Sequence, residues 1–224
     1  MQVGIIGGTG PLGRGLGLRL ADAGAQVVIG SRDEARAAHV VADMPDHWAD
    51  RTLDLKGAGN GAAAACETVV VATPWDVAVA TVKPLAPALH GKVVVSVANA
   101  LVKVGREMHA LVPARGSMAA ELQAALPGSF VAAAGHHLPA SELENLGNRL
   151  NYDVLVCADH EAATKSAMGL VGSIDGLRPL DAGSLASAAA VEAFTAVLVT
   201  LNIRYKGHSS LQISGLDSAG GDER

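Results

Sequence analysis

A glycine-rich turn between a short apolar strand and a helix is the feature that most constrains this chain. Gly8, Gly10 and Gly13 follow the run Met1–Ile6 with the spacing G-x-G-x-x-G. In such a unit the first glycine makes the tight turn, the second lets a pyrophosphate approach the backbone, and the third lets the helix pack on the sheet. The pattern therefore predicts a dinucleotide site at the amino end of the helix.

The end of the second predicted strand, Gln26–Ile29, indicates which dinucleotide binds. An acid at this position binds the 2′-hydroxyl of NAD and repels a 2′-phosphate. The chain has Ser31 and Arg32 instead, and a hydroxyl beside a guanidinium suits a phosphate dianion. NADP is therefore predicted over NAD. Arg36 either adds a second cation or stacks on the adenine, and the alternative is that both arginines are ordinary solvated charges.

Strand-like runs alternate with helical stretches along the chain. The runs are Val3–Ile6, Gln26–Ile29, Thr68–Ala72, Lys92–Ser96, Ser129–Ala132 and Tyr152–Cys157. This alternation predicts an α/β fold with a Rossmann-like, doubly wound, mostly parallel sheet. Residues 43–61 are less regular, and we expect surface loops there.

Three segments are predicted. Residues 1–140 form an NADP-binding Rossmann domain, residues 141–216 a small C-terminal helical lobe that closes the cleft and dimerises, and residues 217–224 a disordered tail that is polar and glycine-rich. Within the lobe, residues 185–203 are long enough to span a membrane. Glu192 interrupts this stretch, so a buried helix at a subunit interface is predicted instead.

The charge balance limits the macromolecular partners that are expected, and the number of cysteines indicates the cell compartment. The formal net charge is −5 and the basic residues form no block, so neither a nucleic acid nor a membrane is expected as a partner. Cys66 and Cys157 are too few for a disulfide framework, and the first residues form a strand rather than a leader. A cytoplasmic protein is predicted.

Two further strand ends face the predicted cleft. Thr73 follows the run Thr68–Ala72, and Asn99 follows Lys92–Ser96. Because the carboxyl ends of parallel strands meet at one edge, Thr73, Val77 and Asn99 are predicted to line the nicotinamide half of the dinucleotide.

The sequence Gly-His-His-Leu-Pro-Ala over residues 135–140 follows another strand. His136 either forms a wall of the hydride-transfer site or packs locally, and Leu138 offers an apolar contact that would hold two ring systems together. No metal site is predicted, because adjacent side chains on an extended backbone point in opposite directions and no further ligands cluster nearby.

The chain has no nucleophile motif and no Tyr-x-x-x-Lys pair. An oxidoreductase without an evident acid or base suggests that its second substrate is itself a redox cofactor. Two alternatives stay open: an NADPH-dependent flavin, ferric or imine reductase, and a non-enzymatic NADP sensor.

Five stretches, GGTGPLGRGL, VVIGSRDEAR, VATPWDVA, GHHLPA and DGLRPLDAGSL, together resemble the F420-dependent NADP oxidoreductase family over nearly the whole chain. The resemblance implies a homodimer that transfers a hydride between C4 of NADP and C5 of the deazaflavin coenzyme F420. It implies pyrophosphate contacts from Thr9, Gly10, Pro11 and Leu12, and 2′-phosphate contacts from Ser31, Arg32 and Arg36.

The resemblance also assigns the other end of the site. Contacts to the rest of the dinucleotide fall to Thr73, Val77, Asn99 and Ala140. His136 and Leu138 flank the nicotinamide and the deazaflavin. Gly135 stands where similar chains often have a larger residue, and Asn99 replaces an apolar residue of some, which bears on the shape of the deazaflavin pocket.

Overall fold

The computed structural model describes residues 1–44 and 48–216. The segment predicted as a disordered tail, residues 217–224, lies outside the described residues.

Ten strands are present in the described part of the chain. They are β1 (Gln2–Ile6), β2 (Gln26–Ser31), β3 (Leu55–Gly59), β4 (Thr68–Val71), β5 (Val93–Ser96), β6 (Leu101–Val104), β7 (Glu107–Ala110), β8 (Phe130–Ala133), β9 (Tyr152–Ala158) and β10 (Leu177–Asp181). The helices are α1 (Pro11–Asp22), α2 (Glu34–Asp43), α3 (Asn60–Ala64), α4 (Trp75–Val82), α5 (Ala86–Leu89), α6 (Met118–Ala125), α7 (Ala140–Glu144), α8 (Glu161–Gly172) and α9 (Ala188–Tyr205).

Eight of the strands form one twisted sheet in the order β10-β9-β8-β5-β4-β1-β2-β3. The six strands from β3 to β8 in this order are parallel, β9 is antiparallel to β8, and β10 is parallel to β9. The predicted Rossmann-like, mostly parallel sheet is therefore confirmed. Strands β6 and β7 form a separate antiparallel hairpin, which packs against α9.

Apolar side chains on both faces of the central strands explain the layered packing. Val70 and Val95 face a core shared with α1 and α8. Their neighbours Val69 and Val94 face a second core shared with α3, α4, α6 and α9. A strand buried on both faces reads as a continuous hydrophobic run, which is why β4 and β5 were predictable from sequence.

The expectation of loops over residues 43–61 is wrong at its carboxyl end, where β3 forms the edge of the sheet. The strand escapes a pattern search because Gly57 and Gly59 interrupt it. Gly57 is required by packing: a Cβ atom there would lie 2.3 Å from the carbonyl oxygen of Ala37 in α2. The helix thus lies so close to the strand that no side chain fits between them.

The predicted boundary at residue 140 falls between two strands of the same sheet. Strand β9 pairs with β8 through Ala132–Ala158 and Ala133–Cys157 alone, so most of β9 extends beyond the carboxyl end of β8. The division into 1–140 and 141–216 remains a prediction.

Helix α1 is joined to α7 and to the residues that follow it by a buried guanidinium. Arg19 donates from Nε to the carbonyl of Leu143 at 3.1 Å. Its Nη2 donates to the carbonyls of Glu142, Asn145 and Asn148 at 2.6–2.9 Å. Helix α1 and residues 142–148 are therefore packed together as one unit.

Helix α9, with the turn before it, is long and apolar enough to cross a membrane by length and composition, at a mean hydropathy of 1.6. A core helix of a protein in water passes the same test. One side of α9 is buried against α6 and β7, and Glu192 lies on that side.

Candidate functional site

An open cleft of about 710 Å³ lies at the carboxyl edge of the sheet, above β1, β2, β4 and β5. Most of the predicted cofactor contacts line it: Thr9, Gly10, Pro11, Leu12, Ser31, Arg32, Arg36, Thr73, Val77 and Asn99. These side chains come from four separate strand ends, which only a parallel sheet brings together.

The turn after β1 leaves the amino end of α1 open to the cleft. Gly7 adopts a left-handed φ of +70°, and the N–H of Gly8 donates to the carbonyl of Gly30 at 2.9 Å. Gly10 caps α1 with no side-chain hydrogen bond, and a Cβ atom on it would meet nothing within 4 Å. The amino end of α1 therefore has N–H groups available to an anion that binds in the cleft.

Gly8 and Gly13 pack against each other behind this turn, and neither of them lines the cleft. A Cβ atom on Gly13 would lie 2.6 Å from the Cα of Gly8. The third glycine of the motif is thus required because the helix backbone touches the turn directly. The left-handed conformation falls on Gly7, one residue before the position to which the sequence motif assigns the turn.

The end of β2 presents a hydroxyl and two guanidinium groups to the cleft. Ser31 is buried, and its Oγ accepts the N–H of Asp33 at 3.1 Å. Arg32 and Arg36 are exposed. Asp33 caps α2 by accepting the N–H of Arg36 at 3.1 Å, so its carboxylate is hydrogen-bonded to the amino end of that helix. The cluster has the donors that a phosphate dianion needs.

Asn60 is a site residue that the sequence reading missed. It begins α3 directly after β3, lines the cleft, and its Oδ1 accepts the N–H of Gly7 at 3.1 Å. Gly30 passes so close that a Cβ atom there would lie 2.9 Å from the same oxygen. Asn60 could be predicted as a site residue only if β3 were predicted first. The glycines of β3 interrupt the apolar pattern by which a strand is predicted.

At the other end of the cleft, two buried polar atoms have no partner among residues 1–44 and 48–216. They are Oγ1 of Thr73 and Oδ1 of Asn99. Buried polar atoms are nearly always hydrogen-bonded in proteins, so these two point to a polar ligand. Together with the open helix end and the arginines, they fit a 2′-phosphorylated dinucleotide laid across the strand ends.

His136, Leu138 and Ala140 are not among the residues that line the cleft. His136 and Leu138 lie behind it on opposite sides of the sheet: the ring of His136 is buried beside Glu192 of α9, and Leu138 packs with the α1 and α8 core. Ala140 begins α7, against α1.

Both His136 and Leu138 are still connected to the cleft. The carbonyl of His136 accepts a hydrogen bond from Nδ2 of Asn99 at 2.8 Å. Val97 lines both the cleft and a small apolar cavity that Leu138 also lines. Gly135 has a φ of +75°, a conformation that disfavours the larger residue expected there.

The buried pair His136 and Glu192 has strongly shifted ionisation. Burial lowers the pKa of His136 to about 3, with a smaller contribution from His137. Burial raises the pKa of Glu192 to about 7, although the N–H groups of Met118 and Ala119 oppose the shift. At neutral pH the ring is therefore uncharged and the carboxyl is partly protonated.

A family model and two similar proteins all relate this chain to F420-dependent NADP reductases. Residues 2–100 match the family model described as NADP oxidoreductase, coenzyme F420-dependent. The chain is 34% identical to the F420-dependent NADP reductase of Methanocaldococcus jannaschii, over 97% of this chain and 100% of that protein. It is also 34% identical to the F420-dependent NADP reductase of Methanothermobacter marburgensis, over 91% of this chain and 93% of that protein.

A solved structure shares the fold. It comes from Arthrobacter sp. FB24, is provisionally named an F420-dependent NADP reductase, and has a TM-score of 0.81 at 24% identity. The match covers 96% of this chain and 99% of that one. The arrangement of sheet and helices therefore extends over both chains almost entirely.

Proposed function

The chain belongs to the family of F420-dependent NADP oxidoreductases, and from this premise we propose that it transfers a hydride reversibly between C4 of NADP(H) and C5 of coenzyme F420. It is an enzyme, an oxidoreductase whose two redox partners are NADP and coenzyme F420. The reaction converts NADPH, a proton and oxidised F420 into NADP⁺ and reduced F420. The nicotinamide and the deazaflavin supply the reacting carbons when bound, so the protein contributes binding and orientation.

One observation carries the proposal on this chain's own residues. The cleft has two exposed arginines after the end of β2, and polar atoms on Thr73 and Asn99 after the ends of β4 and β5 that have no hydrogen-bond partner among the described residues. This polarity matches a dinucleotide with its 2′-phosphate at one end and its nicotinamide carboxamide at the other. The second ring would then lie near Asn99.

We assign the residues accordingly. The N–H groups of Thr9, Gly10 and Leu12, with Pro11, surround the pyrophosphate, while Gly8 and Gly13 support the turn. Ser31, Arg32 and Arg36 bind the 2′-phosphate. Thr73, Val77 and Asn99, which line the cleft, contact the rest of the dinucleotide. Ala140, as a further dinucleotide contact, and His136 and Leu138, which position the two rings, lie outside the cleft lining and are assigned on the family resemblance alone.

Spectroscopy tests the activity directly. NADPH mixed with the enzyme and oxidised F420 should bleach the deazaflavin absorbance, and reduced F420 with NADP⁺ should restore it. Parallel assays use FMN, ferric iron and a cyclic imine as acceptors. Faster turnover of one of these would support the alternative reductase, and tight NADP⁺ binding without turnover of any acceptor would support a sensor.

We propose a homodimer formed through α9. Phe194, Val197, Leu201 and Tyr205 lie along one side of this helix, and each is at least 37% exposed. Val102 and Val104 of the β6–β7 hairpin, which packs on α9, are exposed as well. Exposed apolar residues on two packed elements suit a second copy of the same surface related by a two-fold axis.

We also propose a cytoplasmic location without a membrane or nucleic-acid partner. Cys66 and Cys157 are buried free thiols, and burial raises the pKa of Cys157 to about 11. Free thiols are typical of a reducing compartment. Fractionation of the producing cells, with immunodetection in the soluble and membrane fractions, tests the location.

A further inference from the structure

We propose that Glu192 is a positioning residue for His136: its carboxyl receives the Nε2–H of the ring once the cleft is filled, and so fixes the tautomer and orientation of the imidazole. This inference rests on the hydride transfer proposed above. It concerns a residue of α9 that does not line the cleft.

The first step is the anchoring of Glu192. Its Oε2 accepts the N–H of Met118 at 2.7 Å, and its Oε1 accepts the N–H of Ala119 at 3.0 Å. These are the first two residues of α6, and Ser117 caps the next N–H, that of Ala120, at 3.0 Å. A carboxyl held by two backbone donors has a fixed position, which a positioning group requires.

The second step is the gap between the two side chains. Nε2 of His136 lies 3.8 Å from Oε1 of Glu192, whereas N–H···O hydrogen bonds are roughly 2.7–3.2 Å long. Neither ring nitrogen has a hydrogen-bond partner in the part of the chain that the structure describes. A movement of less than about 1 Å would therefore give a fully buried ring its missing partner, and catalytic hydrogen bonds commonly shorten in this way when a substrate binds.

The third step is the connection to the cleft. Nδ2 of Asn99 donates to the carbonyl of His136, while Oδ1 of Asn99 has no hydrogen-bond partner within residues 1–44 and 48–216. A ligand that binds this oxygen will shift the amide and with it the backbone that carries the ring. Asn99 thus links occupancy of the cleft to the distance between His136 and Glu192.

The fourth step is the charge state. With its pKa lowered to about 3 by burial, the ring is neutral and has one N–H donor and one acceptor nitrogen. Above its pKa of about 7, Glu192 is ionised, and a carboxylate at Oε1 then favours the proton on Nε2, which leaves Nδ1 as the acceptor. Glu192 therefore sets which ring nitrogen donates.

Nitrogen-15 NMR of histidine-labelled protein tests this without any turnover, and His136→Asn identifies the resonances. With NADP⁺ bound at a pH above 7, where Glu192 is ionised, the wild-type ring should be the Nε2–H tautomer. Glu192→Gln presents no carboxylate to Nε2 and sets one amide N–H against a backbone donor, so the preference for the Nε2–H tautomer should be lost. An Nδ1–H ring in the NADP⁺-bound wild type overturns the inference, whatever the result with F420.

Kinetics separate positioning from helix capping. Glu192→Gln should lower kcat about tenfold, the effect of one hydrogen bond, with the KM for NADPH nearly unchanged. Ser117→Ala removes a cap from the same helix end without facing His136, and it should change neither kcat nor the tautomer. An equal loss of kcat in both variants overturns the inference, because capping alone would then explain it.

Discussion

Oδ1 of Asn60 accepts the N–H of Gly7 at 3.1 Å and thereby ties the turn after β1 to the start of α3. The two residues are far apart in sequence, and both line the cleft. The shape of the turn that we propose for the pyrophosphate therefore depends on a strand and a helix outside the glycine motif.

Asn60→Ala should weaken both folding and cofactor binding. The N–H of Gly7 loses its partner, so we expect the free energy of unfolding to fall by about 1–2 kcal/mol and the Kd for NADP⁺ to rise several-fold. Urea denaturation and calorimetric titration measure the two effects. Asn151→Ala, at an exposed asparagine, serves as the matched control, and an equal effect there would contradict the role of Asn60.

Arg32→Ala should reduce the preference for NADPH over NADH. Loss of a charge-assisted hydrogen bond to a phosphate costs about 1.5–3 kcal/mol, so the KM for NADPH should rise at least about tenfold while that for NADH changes little. Arg149→Ala, also at an exposed arginine, should leave both values unchanged. If Arg32→Ala shifts the two KM values equally, the assignment of the 2′-phosphate site is wrong.

Gly10→Ala and Gly13→Ala should fail in different ways. A Cβ atom on Gly10 meets no protein atom within 4 Å, so its variant should fold with nearly wild-type stability and bind NADP⁺ more weakly. A Cβ atom on Gly13 would lie 2.6 Å from Gly8, so overpacking should cost about 1–3 kcal/mol of stability. Thermal unfolding and calorimetry separate the two results, and equal Tm losses would contradict the prediction.

The pair His136 and Glu192 should make stability depend on pH in two opposing ways. The pKa of Glu192 is raised from 4.5 to about 7 by burial, so its folded state binds the proton more tightly than the unfolded chain. The free energy of unfolding of the wild type, relative to Glu192→Gln, should therefore fall as the pH rises from 4.5 to about 7, by on the order of 3 kcal/mol.

The pKa of His136 is lowered from 6.5 to about 3 by burial, which has the opposite sign. Its contribution to stability is present above pH 6.5 and is lost as the pH falls toward 3. Comparison of the wild type with His136→Asn between pH 3 and 6.5 measures this contribution separately. Parallel stability curves for the wild type and both variants would contradict the shifted pKa values.

Val197→Asp should separate the proposed dimer. Val197 is 50% exposed on α9, and a charge at the centre of an apolar interface opposes association. Light scattering coupled to size exclusion should show a mass near that of one chain for this variant and near twice that for the wild type. Ala162→Asp, at an exposed residue of α8 on the other face of the sheet, should leave the mass unchanged.

Continuous apolar runs and glycine spacing made the central sheet and the glycine turn after β1 predictable. Strand β3 was not predictable, because Gly57 reflects its contact with α2 and not a strand propensity. Glu192 was visible in the sequence only as an acid within an apolar stretch. Its contact with His136 depends on how α9 folds back onto α6, which no local pattern encodes.

The order of the strands separates the residues proposed to select the nicotinamide cofactor from those proposed to lie at the hydride-transfer end of the cleft. The arginines follow β2 and Asn99 follows β5, with β1 and β4 between these strands. At about 4.8 Å per strand, the two ends of the cleft are about 14 Å apart. Substitutions at the end of β2 that favour NADH over NADPH would therefore couple coenzyme F420 to NADH. The residues proposed to orient the two rings, at the other end of the cleft, would stay unchanged.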